Sequence, residues 1–489
     1  MAAIRAAQLG ATVALVEKER IGGTCLNHGC IPTKALVSSA EAYLLAKQAA
    51  RYGLDIGGRN SEPYINVNFA QMMARKDEVV DTLVTSVIEL VKGHKVDIYE
   101  GLGTILQLGL VQVKMDGGGS ESSIRQPKQY NGRRELNGQS PASRSRRIRD
   151  PAVAQLATKK IIIATGSVPA RLPIPGLDLP GVLTSRELLA LEELPQSLAI
   201  VGGGVIGVEF ASIFNTLGTR VTVIEMLPHL LPPVDRKLAR RFQRMLSAQG
   251  VEVKLNAPVE EIGLENGRLQ VKFSSAKGEG AVEAEKVLVA VGRWPHTEGL
   301  GLGALGIKMD GRRILVNEFM ETSVPGIYAI GDVLGTYMLA HVASYEGEVA
   351  VENALGHQRA ADYRAVPYCV FTAPELAGVG LGEREAKERG LDYQVVRFPF
   401  SASGRALAMG ETEGQVKMVC EKGSGRVLGL HVMGPRASDL IAEGALAIQL
   451  EATAEDVAQT IHAHPTLPEA VMEAAKAAAF GEAIHFRKV

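Results

Sequence analysis

Residues 198–225 leave the chain little freedom in how it folds. An apolar run at 198–201 leads into Gly202-Gly203-Gly204-Val205-Ile206-Gly207, then an apolar segment to Leu217, Gly218, a β-branched run at 220–224 and Glu225. This is a GxGxxG between a strand and a helix, with an acid about twenty positions on, and it predicts a dinucleotide-binding βαβ unit. Gly202, Gly204 and Gly207 let the backbone approach a pyrophosphate that sits on the helix N-terminus. Glu225 is expected to accept from the adenosine ribose. Met226 and Leu227 follow it where arginines would be needed for a 2′-phosphate, so NAD is favoured over NADP.

The same phrase opens the chain. Residues 1–9 read as helix, Gly10 as its stop and 12–16 as a strand that ends at Glu17, so aligning Gly10 with Gly218 also aligns Glu17 with Glu225. The phosphate-loop glycines of this first copy would fall upstream of Met1. The expectation is a start codon assigned too late, within a dinucleotide-binding unit. An in-frame strand and GxGxxG just upstream would support it, and a stop codon would refute it.

Cysteine usage points to redox chemistry. Only four cysteines occur in 489 residues, and two of them, Cys25 and Cys30, lie in GGTCLNHGCIPTK (22–34). A pair at this spacing, at a loop-to-helix junction, can close a small disulfide ring that a reductant reopens, with the helix N-terminus favouring the second thiolate. Two buried free thiols or half a zinc site are the alternatives. No second CxxC supplies the other zinc ligands. Cys369 and Cys420 sit in strand-like runs and read as core.

A net charge of −1 gives no reason to expect nucleic acid or a membrane surface as partner. No apolar run reaches spanning length, no signal peptide is visible, and the few cysteines suit a reducing, cytoplasmic compartment. Residues 66–100 read as mostly helical and 111–114 as a strand. Residues 117–150 carry eight Lys or Arg against three acids and almost nothing apolar. That composition predicts a disordered surface insertion, with an interaction arm as the alternative. Strands follow at 160–165, 286–291 and 326–330. From 367 onward alternating strands (377–380, 393–398, 415–420, 427–433) and helices (438–450, 467–479) predict an α+β domain without a cofactor motif.

The ordered set CLNHGCIPTK, ATGS, GGGVIGVEF, VGRWP, YAIGDV, LAHVASYEG, FTAPELAGVGL, GPRASDLIAEG and HAHPTLPE resembles the class I pyridine nucleotide-disulfide oxidoreductases over nearly all the chain outside 117–156. Leu26 and Ile31, together with Glu225 lacking arginines after it, favour the branch that oxidises dihydrolipoyl groups over NADPH-dependent glutathione reductase. A mercuric reductase would be expected to carry cysteines after Cys420.

The resemblance implies an α/β fold with two Rossmann-like dinucleotide-binding domains, for FAD and NAD, and a C-terminal α+β dimerisation domain. The expected boundaries are 1–172 and 294–364 for the two parts of the FAD unit, 173–293 for the NAD unit and 365–489 for the interface domain. It further implies that Cys30 is the flavin-side, charge-transfer thiolate and Cys25 the interchange thiol. His464, contributed by the second subunit, is the acid-base, oriented by Glu469. Lys34 pairs with Glu209 at the flavin, Asp332 binds the ribityl chain and Glu17 the adenosine ribose. Thr165, Gly166, Gly292 and Ala340 complete the cofactor set, and no metal is expected.

The implied partners are a second copy of the chain and lipoyl-bearing proteins of 2-oxo-acid dehydrogenase or glycine-cleavage complexes. Two rivals remain: another disulfide or mercuric reductase of the family, and an inactive, flavin-free paralogue with an assembly role.

Overall fold

A computed structural model describes residues 1–55, 65–115, 153–276 and 278–486. The GxGxxG unit forms as expected. Strand Ser197–Val201 runs into the glycine loop, helix Val205–Thr216 follows, and strand Arg220–Ile224 returns parallel to the first. These strands are the centre of a five-stranded parallel sheet completed by Glu252–Lys254, Lys286–Val289 and Val182–Leu183. Ser197–Val201 is buried throughout, which fits a sheet covered on both faces. Helix Arg236–Ala248 was not read from the sequence. It is rich in arginine, but Leu238, Ala239, Phe242 and Leu246 bury one face against this sheet. A three-stranded antiparallel meander, Val259–Glu265, Arg268–Ser275 and Gly278–Ala284, was also missed.

The opening repeat forms as well. Helix Ala2–Gln8 is followed by strand Ala14–Glu17, which lies one to two residues later than the sequence suggests and pairs in parallel with Asp97–Glu100. The helical reading of 66–100 is therefore corrected at its end. Helix Phe69–Gly93 stops where Lys95 takes a left-handed backbone, and Asp97–Glu100 is strand. Ile161–Ile163 pairs in parallel with Ile327–Ala329.

The basic segment 117–150 lies outside the described residues. Strands Leu110–Lys114 and Val153–Ala157 are antiparallel neighbours with Lys114 opposite Val153. The strand Val153–Ala157 itself was not anticipated.

The C-terminal part is a five-stranded antiparallel sheet, in the order Tyr368–Val370, Glu375–Gly380, Val427–Gly434, Gln415–Glu421, Tyr393–Pro399. Helices Ala437–Gln449 and Glu469–Phe480 cover it, sharing a core with Phe398, Val416 and Leu430. Cys420 is buried there, as expected of a core thiol, whereas Cys369 is only half-buried. Among the described residues no helix is long and apolar enough to cross a membrane.

Candidate active site

The two candidate redox cysteines sit on consecutive helices. Cys25 lies within Gly23–His28, and Cys30 is the first residue of Cys30–Lys47, with Gly29 between them. A Cβ at Gly29 would come within 3.0 Å of the Thr24 carbonyl oxygen and 3.4 Å of the Cys25 Cα, so the absent side chain is what lets the second helix start so close to Cys25. The Gly29 carbonyl accepts from Thr33 Oγ1 (2.7 Å) and Thr33 N (3.1 Å). Asn27 Nδ2 ties the preceding loop through the carbonyls of Arg20, Ile21 and Gly23.

In this structure both cysteines are free thiols, and they are hydrogen-bonded to each other. The bond from Cys25 lowers Cys30 to about 7 against the opposing effect of burial, and Lys34 adds to the lowering. Cys25, as the donor, is pushed up. Of the reduced pair, Cys30 is thus the thiol that ionises first.

Lys34 lies one turn along the Cys30 helix. Its Nζ is 3.0 and 2.9 Å from the two carboxylate oxygens of Glu209, on the helix that follows the glycine loop. Glu209 is buried and also accepts from Phe371 N at 2.9 Å, while Lys34 Nζ sits 4.4 Å from the centroid of the Phe371 ring. A second cluster surrounds Asp332 in the turn Gly331–Leu334. Ser167 Oγ donates to Asp332 Oδ2 at 2.5 Å, and Arg293 Nε and Nη2 donate to Ser167 Oγ and O, both at 2.7 Å. Thr165 Oγ1 donates to the His296 carbonyl at 2.6 Å, and the Gly166 carbonyl accepts from His296 N. Gly292 takes φ +117° at the strand exit, and its carbonyl accepts from Ala170 N. Ala340 is exposed as the first residue of helix Ala340–Ala354, which has no side-chain cap. Glu17 ends its strand and accepts from Glu19 N.

These residues fit the two cofactors expected from the sequence. For a dinucleotide at the glycine loop, Gly204 leaves open space before an uncapped helix start, and a Cβ at Gly207 would lie 2.1 Å from the Gly202 carbonyl oxygen. Glu225 is buried and braces the loop, accepting from Gly203 N (2.6 Å) and Leu227 N (2.7 Å), with further lone pairs able to meet a ribose. The exposed Met226 and Leu227 beside it offer no cation for a 2′-phosphate. For a flavin, Lys34–Glu209 and the Asp332 cluster are polar groups on different elements close to the thiols. Burial lowers Arg293, and Asp332 and Cys30 both offset that effect, which places the guanidinium in the field of both groups.

His464 and Glu469 pair with each other, Nδ1 to Oε1 at 2.9 Å, and Thr466 N donates to the other Glu469 oxygen at 2.7 Å. Burial pushes Glu469 up, but these bonds win and hold it below the usual carboxylate range. The His464 ring is 81% exposed, and within the chain its ion-pair partner is Glu469, so the imidazole points away from its own subunit's core. His462 is buried against Glu443 and the Thr460 carbonyl.

Three contributors were absent from the sequence-derived site: Ser167, Arg293 and Glu346. Ser167 and Arg293 lie inside ATGS and VGRWP, so the motifs held the signal. Glu346 lies in LAHVASYEG, but only the fold shows that it reaches Gly331.

The family model for pyridine nucleotide-disulphide oxidoreductases matches residues 1–347, and its dimerisation domain matches 366–475. The chain belongs to the pyridine nucleotide-disulphide oxidoreductase family. Similar members include dihydrolipoyl dehydrogenase of Bacillus subtilis, 42% identical over 99% of this chain and 96% of that protein. The mitochondrial dihydrolipoyl dehydrogenase of Sus scrofa is 39% identical over 99% and 89%. Among solved structures, LpdA from Mycobacterium tuberculosis superposes with a TM-score of 0.83 at 27% identity, covering 97% of this chain and 96% of that one. The HOCl-induced flavoprotein disulfide reductase RclA from Escherichia coli gives 0.80 at 29%, with the same coverage. As a member of this family the chain is a flavoprotein oxidoreductase that uses FAD and NAD, and its C-terminal domain is a dimerisation domain.

Proposed function

We propose that the chain oxidises protein-bound dihydrolipoyl groups to lipoyl with NAD as acceptor, through a Cys25–Cys30 disulfide, as a cytoplasmic homodimer. The observation that carries this reading is the thiol pair at the junction of two consecutive helices, Cys30 opening the second, set beside the Lys34–Glu209 ion pair. Such a placement suits an exchange thiol on one side and a stable thiolate on the other.

In the oxidised enzyme, a substrate thiolate attacks Cys25 Sγ and breaks the Cys25–Cys30 bond, leaving a mixed disulfide and the Cys30 thiolate. The second substrate thiolate closes the lipoyl disulfide and releases Cys25. His464 of the partner subunit takes the proton of the first substrate thiol and passes it to Cys25 as that thiolate leaves, then takes the proton of the second thiol, and Glu469 stabilises its imidazolium. Two electrons now rest on the dithiol. Bound FAD would supply the acceptor for that electron pair, and bound NAD the final hydride acceptor. Lys34, held against Glu209, would face the flavin. Asp332, Thr165, Gly166, Gly292, Ala340 and Glu17 would hold the flavin, and Gly202, Gly204, Gly207 and Glu225 would hold NAD. The domain limits supporting this division are 1–172 with 294–364, 173–293 and 365–489.

Lipoyl-bearing proteins of 2-oxo-acid dehydrogenase or glycine-cleavage complexes are the natural partners. The intact redox and ion-pair geometry supports an enzyme over the flavin-free rival. The test is steady-state turnover: dihydrolipoamide with NAD should far outpace glutathione disulfide with NADPH, and Cys25→Ser should abolish it. Appreciable turnover by that variant would remove Cys25 from the mechanism.

A further inference from the structure

Glu346 is fully buried on helix Ala340–Ala354, and its carboxylate has no cation partner among the described residues. One oxygen accepts from Gly331 N at 2.6 Å and the other from Tyr363 Oη at 2.8 Å. Gly331 opens the turn that carries Asp332. It has φ +74°, and a Cβ there would lie 3.0 Å from the Ala343 side chain, so the absent side chain lets the turn pack closely on the helix. Tyr363 is itself held, stacked on Tyr337 at 5.2 Å and edge-on to Tyr345 at 6.3 Å. An anion buried among neutral donors costs stability, which makes packing alone a poor explanation. Burial indeed raises Glu346, and Asp332 adds to the rise.

We propose that Glu346 is a positioning residue for the flavin: it holds the Gly331 N–H, and so fixes the turn that presents Asp332 to the ribityl chain. Tyr363 holds the second oxygen and sets the carboxylate's angle. The inference rests on the reading of Asp332 as the ribityl ligand. Helix and turn are thereby locked together, and Asp332 is also held by Ser167, which Arg293 holds in turn.

The experiment has two readouts on the full chain. The first is FAD affinity of flavin-stripped protein by fluorescence titration. The second is hydrogen exchange, read by mass spectrometry, of peptides spanning residues 327–339 without FAD. Glu346→Ala should weaken FAD about tenfold or more and speed exchange of the turn about as much, because a buried N–H loses its acceptor. Glu346→Gln should restore both, since its carbonyl still accepts from Gly331 while the Tyr363 hydroxyl rotates to accept from the amide. Tyr363→Phe keeps the stacking and should give a smaller loss of the same sign. Adding Glu346→Ala to Asp332→Ala should weaken FAD no further.

Multiplying losses in that double variant would overturn the proposal, as would unchanged exchange in Glu346→Ala. Should Glu346→Ala not fold, unchanged exchange in Tyr363→Phe decides against it. Unchanged FAD affinity in Asp332→Ala would refute the ribityl reading, and the flavin role of Glu346 with it, whereas the exchange data would still report separately on the Glu346–turn lock.

Discussion

The asymmetry between Cys25 and Cys30 has two available causes, and they can be separated. In the reduced protein the bond from Cys25 contributes most to lowering Cys30 to about 7, and Lys34 contributes less. Cys25→Ala removes the donor, while Cys25→Ser keeps an O–H in nearly the same place. With its midpoint at about 7, Cys30 is roughly three-quarters thiolate at pH 7.5; at the ordinary thiol value of about 8.5 it would be roughly one-tenth. Brief iodoacetamide pulses across pH 5–10, with mass spectrometry of the Cys30 peptide, read this fraction directly. Cys369 and Cys420 do not interfere, because burial pushes them up to about 11 and about 12. The expectation is a midpoint near 7 in the reduced wild type and in Cys25→Ser, and a clear upward move in Cys25→Ala. A midpoint still near 7 in Cys25→Ala would refute the hydrogen-bond explanation and leave Lys34 and the helix N-terminus as the source of the lowering.

Three further outcomes are expected. Lys417 is fully buried, with Asp235 at 2.7 Å and Glu383 at 2.8 Å, so Lys417→Met strands a buried Asp235 and should cost about 3–5 kcal/mol in urea unfolding; a loss under about 1 kcal/mol would contradict this. Burial pushes Glu383 up, but bonds from Lys237 and Lys417 outweigh it and hold it at about 2. That is below its unfolded value of about 4.3, so its stabilisation is complete above that pH and lost as pH falls towards about 2. Unfolding curves from pH 6 downward should show this acid limb, weaker in Lys417→Met. Gly207→Ala puts a Cβ 2.1 Å from the Gly202 carbonyl and should raise KM for NAD more than tenfold, with alkylation of Cys30 unchanged.

What could be read from the sequence divides along physical lines. The GxGxxG unit and the position of Cys30 at a helix start are local matters, decided within a few residues, and their reading matches the structure. The partnership of Lys34 with Glu209 came through resemblance, because nothing in either segment indicates a contact 175 positions away. Glu346 escaped for the same reason: its motif was visible, but the Gly331 N–H that gives it meaning lies on another element. Helix Arg236–Ala248 was hidden differently. Its five basic residues mask an apolar face spaced at 238, 239, 242 and 246, which becomes legible only when the sheet beneath it is known. The strand Asp97–Glu100 was absorbed into a helix because Lys95, which ends that helix, is not a residue type that signals a left-handed turn.

The Lys34–Glu209 pair also explains why so long a chain serves so small a reaction. Lys34 belongs to the helix that begins with Cys30, Glu209 to the helix beginning at the nucleotide loop, and Phe371 to the C-terminal domain. Glu209 is one turn beyond Val205, so its bond to Lys34 fixes the distance between the thiol helix and the phosphate-binding start of the other helix. The Phe371 N–H fixes the same carboxylate from the third side, and the Phe371 ring faces the same ammonium. Displacing Lys34 would strand a buried carboxylate, at a cost that grows with its burial, and displacing Phe371 would remove its second donor. The electron path between a thiol and a nicotinamide needs spacing held to within an ångström. An ion pair between two distant segments, with a backbone donor from a third, supplies that constraint without a covalent bond.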